Sequence, residues 1–330
     1  MLLDGCDTTA LAEGAERLAA GELVGFPTET VYGLGARADD DPSVAKIFQL
    51  KGRPVNHPLI VHIADPGAAT QFASRQPPFA KRLMKALWPG PLTLILPRVP
   101  GVAGAAAGGH PSIGLRCPAH PVAQQLLASA ARLGVPGVAA PSANRFGRVS
   151  PTLAAHVIDE FGDAVMVLDG GPCELGIESS IVDCTRDRPV LLRPGVLSRQ
   201  HLEAAAGEAL APADGNADAD APRAPGTLAA HYAPRARLRL MPTRTLVAAL
   251  QMVGREPLKL AVYSRGLPLG DPLGVRHRRM PARPEQAAHE LFAVLRELDA
   301  EGVQLIWVEE PPTDPEWDGV RDRLLRAAAS

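Results

Sequence analysis

Lys51-Gly52-Arg53 sets two cations two residues apart, just past a stretch with helical patterning. The run that follows, Pro54-Val55-Asn56-His57-Pro58-Leu59-Ile60-Val61-His62, ends with an imidazole inside an apolar strand pattern. A lysine and an arginine so placed can clamp a phosphate, the arginine through its planar fork and the lysine as a point charge. They also fit the ordinary preference for cations at a helix carboxyl end. His62 reads either as a satisfied core histidine or as an imidazole facing a ligand. Upstream, Phe26-Pro27-Thr28-Glu29-Thr30-Val31-Tyr32-Gly33-Leu34-Gly35 places three polar residues and two glycines after a short apolar run, which suits a small polar ligand. Downstream, Arg116 closes the strand pattern Ser112-Ile113-Gly114-Leu115-Arg116. A buried arginine there needs an anion, from a carboxylate ligand or from an internal Asp or Glu. The loop Ala140-Pro141-Ser142-Ala143-Asn144-Arg145-Phe146-Gly147-Arg148-Val149-Ser150 carries Ser and Asn side chains that bond phosphate or ribose, or that build turns by themselves. Glu178-Ser179-Ser180 and Leu192-Arg193-Pro194-Gly195 come last.

Lys51, Arg53, Arg116 and Arg193 among hydroxyl-rich loops form an inventory for a polyphosphate together with a small zwitterion. The chain has no Ser-His-Asp order, no HExxH and no GxxxxGKS. Phosphoryl-type chemistry needs no covalent nucleophile, because positioning and charge neutralisation suffice. Gly33-x-Gly35-x-x-Ala38 formally matches a dinucleotide fingerprint and would make the chain an NAD(P) enzyme. Its glycines do not leave the strand directly, and no acid follows about 20 residues on to hold a ribose. A plain turn accounts for the same glycines.

These segments need elements to hold them. Apolar spacing predicts helices over 8–20, 42–52, 78–88, 120–134 and 152–162. Short apolar runs predict strands at 23–26, 58–63, 91–97, 112–118, 135–140, 164–171, 179–185 and 189–195. Strands and helices alternate early and strands cluster later, so residues 1–203 are expected to form an α/β domain on a twisted mixed sheet. From residue 204 to 237 the chain is rich in Ala, Pro and Asp, a composition that reads as an exposed linker. Residues 238–330 then read as a small second α/β domain with a parallel sheet: strands at 237–243, 258–264 and 303–310, helices at 245–254, 284–302 and 320–328.

The totals narrow the classes. With 330 residues the chain is long enough for two cores, and 46% apolar with 21% charged residues is ordinary for a globular protein. A formal charge of −2 argues against a surface given over wholly to nucleic acid, while leaving room for a local basic pocket. Cys6, Cys117, Cys173 and Cys184 have neither zinc nor C-x-x-C spacing and read as four small buried thiols in a reducing compartment. The N-terminal segment lacks the form of a signal peptide, and no apolar run approaches the length of a membrane span, so the expected location is the cytoplasm.

Taken in order, PTETVYGLG, KGRPVNHPLIVHI, SIGLRCP, APSANRFGRVSPT, ESSIVDCT and LLRPG resemble the YrdC-like threonylcarbamoyl-AMP synthases over residues 10–200. APGTLAAHYAPRARL and the small domain after it resemble the longer, two-domain form. The resemblance implies a twisted sheet with an open, positively charged cleft, a Rossmann-like C-terminal domain, and a linker returning over the active site. It implies a nucleotidyltransferase that converts L-threonine, bicarbonate or CO2 and ATP to threonylcarbamoyl-AMP and pyrophosphate. A separate transferase complex would then modify adenosine 37 of tRNAs reading ANN codons, so that tRNA is an indirect partner. Carried over, Thr30, His62, Arg116, Ala140 and Ser180 would hold threonine, with Arg116 on its carboxylate. Lys51, Arg53, His57, Ser112, Ser142, Asn144, Ser150, Arg193 and Tyr232 would contact ATP, with Lys51 and Arg53 the catalytic cations. Mg²⁺ would arrive on ATP without a protein ligand. His57 stands where other members often carry Asn. Two alternatives remain: an RNA-binding module without catalysis, and another carbamoyl-adenylate-forming enzyme.

Overall fold

The computed structural model describes residues 1–211, 224–253, 259–267 and 275–330. Residues 212–223 of the expected linker, and the expected helix and strand ends at Gly254 and Leu258, fall outside those residues. The chain divides into two units, one of residues 1–146 with 150–227 and one of 147–149 with 228–330.

In the first unit the elements run β1 (Leu2–Asp4), α1 (Thr8–Ala19), β2 (Val24–Phe26), β3 (Gly33–Arg37), α2 (Asp41–Lys51), β4 (Ile60–His62), α3 (Pro78–Leu87), β5 (Leu92–Pro97), β6 (Ser112–Arg116), α4 (Pro121–Arg132), β7 (Val138–Ala139), α5 (Ala154–Phe161), β8 (Met166–Asp169), β9 (Ser180–Asp183), β10 (Val190–Arg193) and α6 (Arg199–Ala206). Helix starts follow capping chemistry. The carboxylates of Asp7 and Asp40 accept the backbone N–H of Thr9 and Ser43, and the Ser198 hydroxyl accepts that of His201. Gly52 ends α2 in the left-handed region, at φ 65°.

The strands form one ten-stranded sheet in the order β1-β8-β2-β3-β7-β4-β6-β5-β9-β10. Both parallel pairs (β4 with β6, β5 with β9) and antiparallel pairs (β2 with β3, β5 with β6) occur, as expected of a mixed sheet. Leu11 and Leu18 of α1 and Leu126 and Leu127 of α4 share a core with Val24, Phe26, Met166 and Leu168. A larger core takes Val44, Ile47 and Phe48 of α2, Leu83 of α3, Val157 of α5 and Leu202 of α6 against Leu34, Val61, Leu94, Leu115 and Val182. A third, small cluster of Ile60, Ile95 and Ile181 has Leu192 and Ala224 packed on it. Ile60 alternates with Val61 and shares a face with His62.

The second unit holds β11 (Arg237–Met241), α7 (Thr243–Met252), β12 (Leu260–Ser264), β13 (Arg276–Arg279), α8 (Pro284–Ala300), β14 (Leu305–Glu309) and α9 (Asp318–Ala328). Among the described residues its four strands are all parallel, in the order β11-β14-β12-β13. Glu309 is buried at the end of β14, accepting the Thr243 hydroxyl at 2.8 Å and the backbone N–H groups of Arg265 and Gly266 at 2.6 and 3.1 Å.

Several elements were not expected: β1, β3, β13 and α6, whose span covers the composition change at residue 204. Cys6 is exposed, against the expectation of four buried thiols, while Cys117, Cys173 and Cys184 are buried. The Gly33-x-Gly35 pair is neither a phosphate loop nor a turn. Both glycines lie in β3, and a Cβ on Gly35 would stand 2.8 Å from both Phe26 and Val138. Glycine is required there by packing. Gly35→Ala should therefore lower stability by about 1–3 kcal/mol in urea denaturation; an unchanged midpoint would contradict the packing.

Candidate active site

The loop from β2 to β3 is built on Thr28. Its hydroxyl donates to the Val31 carbonyl at 2.7 Å and accepts the N–H groups of Thr30 and Val31, both at 3.2 Å. That turn presents Glu29 and Thr30 to Arg116 at the end of β6. Arg116 is 3% exposed, and it donates to Thr30 Oγ1 at 2.8 Å and to the Gly90 carbonyl at 3.3 Å. Its Nη2 lies 2.8 Å from Glu29 Oε1. The anion that a buried arginine requires is thus an internal glutamate, one of the two sources open to it in the sequence.

His62 is the register partner of Arg116 on the adjacent strand β4, so both side chains leave the same face of the sheet. Burial, reinforced by the Arg116 charge, pushes the imidazole down to about 3, so it is neutral at physiological pH. Its ring meets Phe26 edge-on at 6.1 Å. Along β6, Ser112, Gly114 and Arg116 occupy one face. Gly114 leaves that face bare over Ile60 and Ile95, where a Cβ would come within 3.6 and 3.3 Å.

Lys51 ends α2, yet its ammonium does not serve the helix carbonyls. It reaches across to the carbonyls of Ser142, at 2.6 Å, and Asn144. Burial, with a contribution from the Arg53 charge, holds it well below the ordinary lysine range. Arg53 donates to the Pro58 carbonyl at 3.0 Å and lies 5.6 Å from the centre of the Phe146 ring, which also meets His57 at 5.5 Å. Ser150 donates to the buried carboxylate of Glu178. Arg193, at the end of β10, donates to the Ser179 carbonyl at 3.1 and 2.8 Å and to the Pro225 carbonyl at 2.8 Å. Gly195 lets that turn approach Ser180, since a Cβ there would stand 2.5 Å from the Ser180 nitrogen. Ala140 donates its N–H to the Ile60 carbonyl at 2.9 Å, fixing the start of the loop.

The structure therefore joins Thr30, His62 and Arg116 in one group, and Lys51, Ser142 and Asn144 in another, with Arg53 and His57 sharing Phe146. Ser112, Ser180 and Arg193 come from β6, β9 and β10 of the same sheet. Tyr232 belongs to the second unit, buried against Phe292 at 5.4 Å and under Arg323 at 5.3 Å, with φ 63°. Glu29 was noted in the sequence without a role; its position between two threonines on a loop gave no sign of the arginine it would meet. Among the described residues no group of three or more His, Cys, Asp and Glu is placed to hold a metal ion.

An α/β sheet that gathers buried cations and hydroxyls at its strand ends defines a site for small anionic ligands. The comparisons narrow it. A family model described as "Telomere recombination" matches residues 16–195, and one described as "Threonylcarbamoyl-AMP synthase, C-terminal domain" matches residues 197–329. The threonylcarbamoyl-AMP synthase of Bacillus subtilis is 38% identical over 96% of this chain and 92% of its own length. That of Pyrococcus abyssi is 38% identical over 93% and 91%. The structure of P. abyssi Sua5 complexed with L-threonine superposes with a TM-score of 0.85 at 36% identity, covering 96% of this chain and 94% of that one. The chain belongs to the threonylcarbamoyl-AMP synthase family.

His62 gives a prediction with a definite sign. Its folded-state value lies below the unfolded 6.5, so protonation favours unfolding. Its contribution is complete above pH 6.5 and is lost as pH falls toward 3, at about 1.4 kcal/mol per pH unit. Carbon-detected NMR should show the His62 ring neutral from pH 8 to 5, and His62→Gln should flatten the acid side of the stability curve. A ring that titrates near pH 6.5 would contradict its burial.

Proposed function

We propose that the chain makes L-threonylcarbamoyl-AMP and pyrophosphate from L-threonine, ATP and bicarbonate or CO2, as a nucleotidyltransferase. The observation that supports this most is the presence of two kinds of buried cation in one unit. Arg116 stands beside a neutral imidazole and a threonine hydroxyl, and Lys51 and Arg53 are tied to loop carbonyls. The family relatives are threonylcarbamoyl-AMP synthases, and one was solved with L-threonine bound. We assign Thr30, His62, Arg116, Ala140 and Ser180 to threonine. Lys51, Arg53, His57, Ser112, Ser142, Asn144, Ser150 and Arg193 are assigned to ATP, and Tyr232 to nucleotide retention by the linker segment.

The chemistry follows from charge. Threonine's amino nitrogen bonds to the carbon of CO2 and loses a proton, giving a carbamate. A carbamate oxygen then attacks the α-phosphorus of ATP. The bond to the bridging oxygen of the β-phosphate breaks, and pyrophosphate departs with that electron pair. Nucleophile and electrophile are both anionic, so the step needs fixed cations to offset their repulsion and the charge on the leaving group. Burial, with a contribution from the Arg53 charge, disfavours the Lys51 ammonium. An arriving polyphosphate offsets that cost, so full charge on Lys51 and binding of ATP support one another. Mg²⁺ enters as part of the MgATP substrate, held by phosphates and water. Carbamates are labile in water, so exclusion of solvent protects the intermediate.

The parallel sheet of the second unit reads as a small Rossmann-like domain. Its strand order, 3-2-4-1 in chain sequence, differs from the 3-2-1-4 start of dinucleotide-binding folds. We assign it no dinucleotide. A cytoplasmic protein handing its product to a separate tRNA-modifying transferase fits the comparisons, and no helix among the described residues is long and apolar enough to cross a membrane.

Purified protein with MgATP and bicarbonate should release pyrophosphate only when L-threonine is added, and L-serine should support much less. Lys51→Ala and Arg53→Ala should each lower the rate at least 100-fold, on the order of removing a preorganised charge contact, while thermal melting shows both folded. Near-wild-type turnover by either variant would remove it from the clamp.

A further inference from the structure

Residues 99–109, between β5 and β6, are all Val, Pro, Gly or Ala and offer no side chain for chemistry. A run of that kind makes a loose surface loop unless something holds it. Here it is held. Ala103, Ala106 and Ala107 are buried, and the first two share the large core with Ile47 of α2 and Leu59. Arg98 folds the loop from its base, donating Nε to the His110 carbonyl at 3.0 Å and Nη1 to the Val102 carbonyl at 2.7 Å. The Asp41 carboxylate, at the start of α2, accepts the Ala105 N–H at 3.0 Å. So fixed, the loop bears on the segment that follows Arg53. The Ala106 carbonyl accepts the Leu59 N–H at 2.7 Å. Gly108, at φ 62°, approaches the same segment so closely that a Cβ would stand 2.9 Å from the Asn56 carbonyl oxygen and 3.2 Å from the Pro58 nitrogen. That segment aims Arg53: the Pro58 carbonyl accepts Nη2 at 3.0 Å, and the His57 carbonyl faces Nε at 3.5 Å. The other end of the loop leads into Ser112, which pairs in register with Pro97.

We propose that the loop of residues 99–110 is a positioning element for the nucleotide, with Gly108 its contact point: it sets where residues 56–58 stand and, through their carbonyls, where the Arg53 guanidinium points. The proposal rests on the assignment of Arg53 and Ser112 to ATP. The loop touches the segment behind one and runs into the other, so it fixes the two against each other. Its small residues then have a reason. Alanine methyls fill the space beside Leu59, and at Gly108 the backbone itself is the contact surface. Gly108 is a positioning residue and touches no substrate. A planar guanidinium grips phosphate oxygens only in a matching orientation, so a shift of the carbonyls that aim it is felt at the nucleotide. Threonine, assigned to Thr30, His62, Arg116, Ala140 and Ser180, is not held by this segment.

The test compares two neighbouring glycines. Gly109, at φ 79°, is also left-handed, but a Cβ there would meet nothing within 4 Å. Alanine at either position therefore carries a similar backbone cost, and only at Gly108 does its methyl push on Asn56. MgATP and L-threonine are titrated separately by calorimetry into the full chain. Gly108→Ala should weaken MgATP roughly 10- to 100-fold, the scale of a contact group displaced by a fraction of an ångström to an ångström. It should leave L-threonine within about twofold, which also reports that the variant is folded. Gly109→Ala should keep both affinities within about twofold of wild type. Should Gly108→Ala fail to fold, Asp41→Ala releases only the tie at Ala105 and should weaken MgATP alone, by less. Equal loss of MgATP binding in Gly108→Ala and Gly109→Ala would reduce the effect to backbone strain and overturn the proposal. So would a Gly108→Ala protein that binds MgATP as wild type does, or one that loses both ligands equally. Arg53→Ala separates the underlying assignment: it should weaken MgATP, and unchanged binding there would remove Arg53 from the nucleotide and the proposal with it. Weakening by Arg53→Ala with none by Gly108→Ala would overturn the positioning role alone.

Discussion

A cation taken out of water must be given replacement dipoles or an anion, or it will not stay charged. Lys51, Arg53, Arg116 and Arg193 are all buried in one unit of this chain, and much of the local structure answers their demand. Lys51 is met by the carbonyls of Ser142 and Asn144, which fixes the loop after β7. Arg193 is met by the Ser179 and Pro225 carbonyls, which ties the segment at Pro225 back to the start of β9. Arg116 is met by Gly90, Thr30 and Glu29, which locks the β2–β3 loop against the end of β6. The loops are ordered by the charges, and the charges are kept by the loops.

The sheet makes this possible. Two helix-bearing cores lie against it, while Ile60, Ile95 and Ile181 form a small apolar floor with Leu192 and Ala224 over it. Gly114 keeps that floor free of a side chain between Ser112 at one end of β6 and Arg116 at the other. In the proposed reaction those two ends serve different substrates, nucleotide near Ser112 and threonine near Arg116. Carbamate and α-phosphorus are then brought together by position alone, without a covalent intermediate.

Helices α1 to α5 and the strands with continuous apolar runs were legible in the sequence because their patterns are strong: Leu11 and Leu18 in α1, Leu126 in α4, and the runs around Val61 and Leu94. β3 was not legible, because Gly33-Leu34-Gly35-Ala36-Arg37 has little strand propensity of its own and is held by pairing with β2 and β7. β13 was missed because Arg276-His277-Arg278-Arg279 has no apolar face; it is an edge strand, where charge is tolerated and discourages further pairing. α6 was hidden by a composition that turns to alanine before the helix ends. In the site, residue types gave the cations and hydroxyls, and the family resemblance gave their assignment. Neither gave the Glu29–Arg116 pair, because the two are far apart in sequence and meet only when β6 and the β2–β3 loop are folded together.

The central claim is that one sheet brings a threonine-derived carbamate to the α-phosphate of ATP. The most direct measurement is mass spectrometry of the nucleotide product formed from ATP, L-threonine and ¹³C-bicarbonate. The account predicts a single adenylate containing AMP, threonine and one ¹³C carbonyl. An adenylate without the labelled carbon, or ATP consumed with no threonine in the product, would contradict it.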